Sequence, residues 1–194
     1  SIQLVTPEFR VSFPNVFVAK KNDLSGLDEY SLVALFKKGE DLAALKKAAA
    51  DCIVEKWGPN KAKWPKNLRS PFRDQGEREK DDDEGNKFMP DGYEKGAIYV
   101  NMKSSRQPGI VDQKRQPILD GEKFYAGCYA RADVSVYAYE KMGNAGVSIG
   151  LNNLQLVRDG EPFSGRRKAE EAFSAIEGAD GEKDASQIDD PFAA

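Results

Sequence analysis

The segment KFYAGCYARADVSVYAYE, residues 123–140, constrains this chain more than any other. Read with a period of two, it puts Phe124, Ala126, Cys128, Ala130, Ala132, Val134, Val136 and Ala138 on one face. Tyr125, Tyr129, Arg131, Tyr137 and Tyr139 fall on the other. Successive side chains of a strand point to opposite faces, so this reads as one long strand with an apolar wall and a polar wall. Alanine, cysteine and valine make a thin wall, which suits a tightly curved sheet, and Gly127 marks a bend. GVSIGLNNLQLVR, residues 146–158, reads as its partner strand. Lys141 to Asn144, with Gly143-Asn144 inside it, is a hairpin-sized link.

The remaining elements fit the same architecture. Residues 8–18, EFRVSFPNVFV, alternate Phe9, Val11, Phe13 and then Phe17 on one face, with Pro14 favouring an edge or a bulge. Residues 29–37 and 97–103 read as two further strands, and a short one is expected around Gly109–Asp112. In the 97–103 strand Ile98, Val100 and Met102 share one face, and Tyr99, Asn101 and Lys103 the other. Glu40 to Trp57 is the one helix, with Leu42, Leu45, Ala49, Cys52 and Ile53 along one side and Gly58-Pro59 stopping it. Cys52 then reads as a small core residue, and Trp57 as a core residue at the end of the helix. Several strands and one helix predict a mainly β fold, a β-barrel with one inserted helix. The five-stranded, partly open OB barrel is the natural candidate.

Several chemistries are closed to this chain. Among 194 residues there is no histidine. This removes histidine triads, the usual general base near neutral pH and most zinc sites. Two cysteines, Cys52 and Cys128, cannot build a Cys₄ site, and both are expected to be reduced. No apolar run approaches the roughly 18 residues of a membrane span. The opening SIQLVTPEFR lacks a basic-then-apolar pattern, which sets the expectation of a chain without a secretory leader. No cofactor, metal or membrane is called for.

Charge is strongly partitioned. From Ala169 to Ala194 eight acids face one base, Lys183, so the net −3 of the chain hides a tail of −7 and a body of +4. Between Lys56 and Arg73 lie six bases and no acid, interleaved with Trp57, Trp64 and Phe72. Asp74 to Glu84 then holds seven acids against Arg78 and Lys80, and reads as a solvated loop. A metal cluster at Asp81–Glu84 is disfavoured, because consecutive carboxylates on a loop are poorly preorganised. The division expected is a barrel domain over 1–165, with helix 40–57 and a basic-then-acidic insertion over 58–95. An acidic, mostly disordered tail over 166–194 follows, opening on a short helical stretch, Arg166–Ile176.

Holding single-stranded nucleic acid without reading sequence requires cations for phosphates and aromatic faces for bases. The candidates are Trp64, Lys66, Arg69, Phe72 and Arg73 in the insertion, Tyr99 and Lys103 on one strand, Arg106 in the loop after it, and Tyr125, Tyr129 and Arg131 on another. No catalytic residue is assigned. The tail ends SQIDDPFAA, so Asp189, Asp190, Pro191 and Phe192 form an acidic-aromatic tip suited to a partner's apolar pocket.

The blocks SFPNVF (12–17), YSLVALFKKGEDLAALKKAAA (30–50), KFYAGCYARADVSVYAYE (123–140) and AGVSIGLNNLQLVRDGEPF (145–163) resemble the single-stranded DNA-binding proteins of tailed bacteriophages. The resemblance covers most of residues 4–165 in order. It implies an OB fold, non-specific protection of ssDNA in phage replication or recombination, and action in the cytoplasm of the infected bacterium. Asp189-Asp190-Pro191-Phe192 is similar to the tip of the bacterial counterparts, and Ala193 and Ala194 follow it here. The reading is a non-enzymatic ssDNA-binding protein whose tail recruits phage or host replication and recombination proteins. The alternative from another class is a metal-dependent nuclease, or other DNA-processing enzyme, using the Asp74–Glu84 carboxylates. A protein–protein adaptor is disfavoured by the basic, aromatic-rich insertion.

Overall fold

The alternation between Tyr129 and Lys141 survives folding and sets the frame of the molecule. The structure is a computed structural model and describes residues 1–163 and the single positions 173, 175 and 176. In chain order its elements are β1 (Ile2–Val5), β2 (Phe9–Lys21), β3 (Asp28–Leu35), α1 (Ala43–Trp57), β4 (Leu68–Arg69) and β5 (Arg73–Asp74). Then come β6 (Lys80–Asp81), β7 (Lys87–Phe88), β8 (Ile98–Ser104), β9 (Gly109–Val111), β10 (Tyr129–Lys141) and β11 (Asn144–Arg158). The tail expected over 166–194, its tip included, lies outside the described residues apart from those three positions.

Five strands close a ring. β10 pairs with β11 along their whole length, β11 runs parallel to β8, β8 pairs with β3, β3 with β2, and β2 returns to β10. Two seams are short. β11 meets β8 at Ile149↔Met102 and Gly150↔Lys103, and β2 meets β10 at Arg10↔Tyr129 and Phe9↔Ala130. This is the partly open OB barrel expected from the sequence. β1 extends the first strand along the same edge of β10, from Ile2↔Val136 to Val5↔Asp133. Inside are Val11, Leu32, Ala34, Val100, Met102, Ala130, Ala132, Val134, Val136, Ile149, Leu151 and Leu154. Phe9 and Phe36 meet edge to face there, with ring centroids 5.7 Å apart.

α1 packs against β1, β10 and β11 through Leu45, Ala48, Ala49 and Cys52. It starts at Ala43 rather than Glu40, because Asp41 caps it from outside: its Oδ1 accepts the Ala43 N–H at 2.9 Å. It ends as expected at Gly58, whose φ of +82° suits a residue without a Cβ. The Cys52 thiol donates to the Val136 carbonyl at 3.2 Å. Both cysteines are free and buried, and burial pushes the Cys128 thiol up to about 11. Trp57 corrects its expectation: it is only half-buried, and its Nε1–H donates to Glu140 Oε2 at 3.1 Å.

Two further expectations fail for identifiable reasons. The strand read over 123–140 begins only at Tyr129, since Gly127, at φ +108°, turns the backbone before it. Phe124 and Cys128 nevertheless keep their apolar positions. In β2 the register shifts between Ser12 and Asn15, so Phe13 leaves the face it was assigned and is 59% exposed.

The insertion after α1 is more ordered than a solvated loop. β4 joins β11, β5 joins β8, and β6 pairs with β7. Met89 and Tyr93 pack with Val33, Leu35, Tyr99 and Phe163 in a second small core outside the barrel. Its anchor is Gln75, 1% exposed. The side-chain amide donates to the Phe36 and Ile98 carbonyls, both at 2.9 Å, and its Oε1 accepts the Glu94 N–H at 2.8 Å. Gln75→Ala removes three hydrogen bonds and strands buried backbone groups, so denaturant unfolding should show a loss of about 1–3 kcal/mol.

Candidate nucleic-acid interface

Backbone register lines up one belt of side chains around the outside of the barrel. Arg73 stands opposite Tyr99, Tyr99 opposite Leu35, Leu35 opposite Arg10, Arg10 opposite Tyr129, and Tyr129 opposite Arg158. The belt is held by cation–π contacts. The Arg158 guanidinium lies 3.7 Å and that of Arg10 5.4 Å from the Tyr129 ring centroid, and Arg10 also lies 4.4 Å from that of Phe163. Each end carries a carboxylate: Arg158 Nε donates to Glu8 at 2.8 Å, and Arg73 Nη2 to Glu77 at 2.6 Å. The hydrogen bond from Arg73 holds the Glu77 carboxyl below its usual range.

This belt changes the standing of four candidates. Tyr99 was expected on an open polar face but is 3% exposed, beneath the insertion, with the Arg78 guanidinium 4.9 Å from its ring centroid. Arg73 is paired. Tyr129 is half-buried, with a guanidinium against its ring. Tyr125 lies in the turn before β10, where its hydroxyl donates to the Gly160 carbonyl at 2.9 Å, fastening residues 159–163 to that turn.

The open part of the outer surface lies elsewhere on β8, β10 and β11. Gly150 stands opposite both Lys103 and Ser135, and Ser148 opposite Tyr137. Ser148 and Gly150 form a floor of small residues, which begins beside Gly146 where β4 covers the strand. A Cβ added at Gly150 would meet the Tyr137 ring at 3.5 Å. Asn101 and Lys103 border this floor on β8, with Lys103 Nζ 3.8 Å from Glu29. Tyr137 and Tyr139 share the polar face of Tyr129 and Arg131, but were left out of the candidate set although the alternation already placed them there.

The basic segment is fixed at the tip of the same hairpin. β4 runs parallel to β11 with Leu68↔Ala145 and Arg69↔Gly146, and Arg69 Nη2 donates to Asn144 Oδ1 at 2.7 Å. Trp64 is half-buried, its Nε1–H donating to the Gly58 carbonyl at 2.8 Å and Lys61 Nζ 6.0 Å from its ring centroid. Lys56, Lys61, Lys63, Lys66 and Arg69 have no carboxylate partner among the described residues. Trp64, Lys66 and Arg69 are therefore brought together, with Tyr137, Tyr139 and Lys103 along the surface that continues from them. Phe72 instead packs against the core, and Arg106 stands in the loop after β8, its backbone N–H on Ser104 Oγ and its side chain without an ion-pair partner among the described residues. Arg131 donates to Gln155 at 2.8 Å in an open cleft of about 420 Å³ lined also by Thr6, Glu8 and Gln113.

The acidic run is occupied structurally. Asp74 accepts the Gly76 N–H, Glu79 pairs with Lys95, and Asp82 accepts the Glu84 and Asn86 N–H groups in its own turn. Among the described residues no group of three or more Asp, Glu or Cys side chains converges to hold a metal, and none of the described helices is long and apolar enough to cross a membrane.

Residues 2–186 match the family described as the ssDNA-binding protein of Enterobacter phage Enc34. This chain belongs to that family. Protein p50 of Acyrthosiphon pisum secondary endosymbiont phage 1 is 29% identical over 166 residues, covering 80% of this chain and 83% of that one. The fold resembles the Enc34 single-stranded DNA-binding protein solved in complex with ssDNA, with a TM-score of 0.63 and 18% identity, over 84% of this chain and 89% of that one. It also resembles gp2.5, the single-stranded DNA binding protein of bacteriophage T7, with a TM-score of 0.55 and 12% identity, over 87% and 98% of the two chains. The family resemblance and the OB barrel read from the sequence are thus borne out.

Within this Enc34-family barrel, Gly146 is the position that lets the basic segment dock. A Cβ there would lie 2.5 Å from the Arg69 carbonyl oxygen. Gly146→Ala should push β4 off β11, lowering stability by about 1–3 kcal/mol. Limited proteolysis of the variant should open the chain within 58–70 faster than in the wild type.

Proposed function

We propose that this protein binds single-stranded DNA without reading its sequence, and coats it during phage DNA replication or recombination in the cytoplasm of the infected bacterium. One observation carries the reading. Five cations from Lys56 to Arg69 have no carboxylate partner among the described residues, and the last of them, Arg69, anchors their segment at the hairpin tip where the small-residue floor begins. Membership of the Enc34 family, and the ssDNA held by its solved member, support it. Unpaired cations draw the phosphates, and tyrosine faces beside a floor of glycine and serine accept bases at close approach. Stacking on a ring tolerates any base, so the mode of binding is non-specific. The reading is a binder and not a nuclease, since Asp74, Glu77, Glu79 and Asp82 are engaged in caps, turns and ion pairs, and no three carboxylates converge on one point among the described residues.

Anisotropy titrations of a labelled oligo-dT against duplex DNA and RNA, at several salt concentrations, test this. With about four phosphates neutralised, log K should fall with log salt at a slope of roughly −3. Replacing Lys61, Lys63 and Lys66 together by Glu should weaken binding most at low salt and flatten the slope by about 2. A wild-type slope near zero would remove the electrostatic basis of the proposal.

The tail adds a second component to the proposal. We propose that residues 169–194, which carry net −7 and are joined in one chain to the basic segment, compete with DNA at high effective concentration. Deleting them should tighten ssDNA binding, most at low salt where screening is weakest. Phe192, with Asp189 and Asp190 beside it, recruits a replication or recombination protein. Phe192→Ala should lose partners in pull-downs from infected cells while keeping DNA affinity. Equal DNA affinity of full-length and shortened protein at every salt concentration would refute the competition.

A further inference from the structure

The SFPNVF block contains the one described aromatic residue that combines wide exposure with a left-handed backbone. Phe13 has a φ of +46° and precedes Pro14. A proline pushes the residue before it toward extended backbone, and a β-carbon disfavours positive φ, so this conformation is held against two local preferences. The consequence is a change of direction. Ser12 pairs with Val33 and Asn15 with Ser31, so Phe13 and Pro14 together bulge opposite Leu32, which points into the core. Regular pairing would bury the Phe13 ring beside Leu32. The bulge turns it out to 59% exposure while Val11 and Val16, on either side, stay fully buried.

The surroundings fix the bulge. The Ser12 hydroxyl lies 3.0 Å from the Tyr93 hydroxyl, and Asn15 Nδ2 donates to the Phe13 carbonyl at 3.3 Å. The next pair along the sheet, Ser31↔Lys103, leads to the border of the small-residue floor. A strained residue that presents an apolar ring to solvent gains nothing for the fold, since a glycine would relieve the backbone and a buried ring would add to the core.

We propose that Phe13 is a base-stacking residue of the single-stranded DNA interface, presented by the Phe13–Pro14 bulge on the side of the floor opposite the basic segment. This rests on the ssDNA-binding reading above and extends the bound strand across β3 and β8. A ring face is what a base requires, so bulk alone cannot replace it.

The test compares full-length wild type with Phe13→Leu, Phe13→Trp and Phe13→Gly, by oligo-dT anisotropy and thermal unfolding. Phe13→Leu should lose affinity about five- to a hundredfold with the salt slope unchanged, and Phe13→Trp should retain it. Phe13→Gly should lose affinity while unfolding at a temperature equal to or above that of the wild type. Wild-type affinity in Phe13→Leu or Phe13→Gly would overturn the assignment. A wild-type protein that does not bind oligo-dT at all would instead overturn the ssDNA reading on which it rests.

Discussion

The antiparallel pairing of β10 with β11 is the interaction on which the rest of the structure depends. It runs from Tyr129↔Arg158 to Lys141↔Asn144, and the other strands that touch it divide its two outer edges. β1 and β2 take the free edge of β10. Three segments share the free edge of β11, all parallel to it: β4 at Ala145–Gly146, β8 at Ile149–Gly150 and β9 at Asn153–Gln155. β4 and β9 would not persist alone, because two or three residues cannot offset their own ordering entropy, whereas β8 is a full strand that pairs with β3 and lends β11 only one end. Together they leave little unpaired edge for another chain to join.

That hairpin was also the most legible part of the sequence, for a physical reason. Alternation of period two reports a sheet with one wet and one dry face, and β10 holds that pattern without interruption from Ala130 to Val136. The helix was legible apart from its start, where Asp41 works as an external cap. The same logic failed at Phe13, since periodicity assumes an even pleat and one bulge reverses the side chains beyond it. It failed at Tyr99 because an outward position on a strand is open only if nothing covers it. Its cover comes from outside its strand: Tyr93 in the loop before it, and Arg78 and Phe163 farther away along the chain. Gln75 was invisible in a polar, charged stretch, because its partners are backbone groups of Phe36, Glu94 and Ile98. The basic segment was easier: a run of like charge without local acids leaves its cations unpaired unless a distant acid reaches them, and none does among the described residues.

The structure separates two uses of positive charge that composition merges. Arg10, Arg73 and Arg158 belong to the belt, where aromatic rings, carbonyls and carboxylates engage them. Lys56, Lys61, Lys63 and Lys66 face water. Exposed cations hold mobile counterions that a phosphate chain can displace, whereas an arginine already forked onto a carboxylate must first lose that bond. The two sets thus differ in what a bound strand gains from them, although they are equal in charge.

The order of the ring along the chain also sets when it can close. β2, β3 and β8 are antiparallel neighbours in the sheet and can pair as soon as Ser104 is made. β10 and β11 come last, and both seams of the barrel wait for them. Until Arg158 has left the ribosome, a three-stranded sheet bears Leu32, Val100 and Met102 on a bare face, and α1 has no floor to settle on. At about 5–20 residues per second, the stretch from Ser104 to Arg158 takes several seconds to synthesise, a window in which a half-built barrel is prone to aggregate or to need a chaperone.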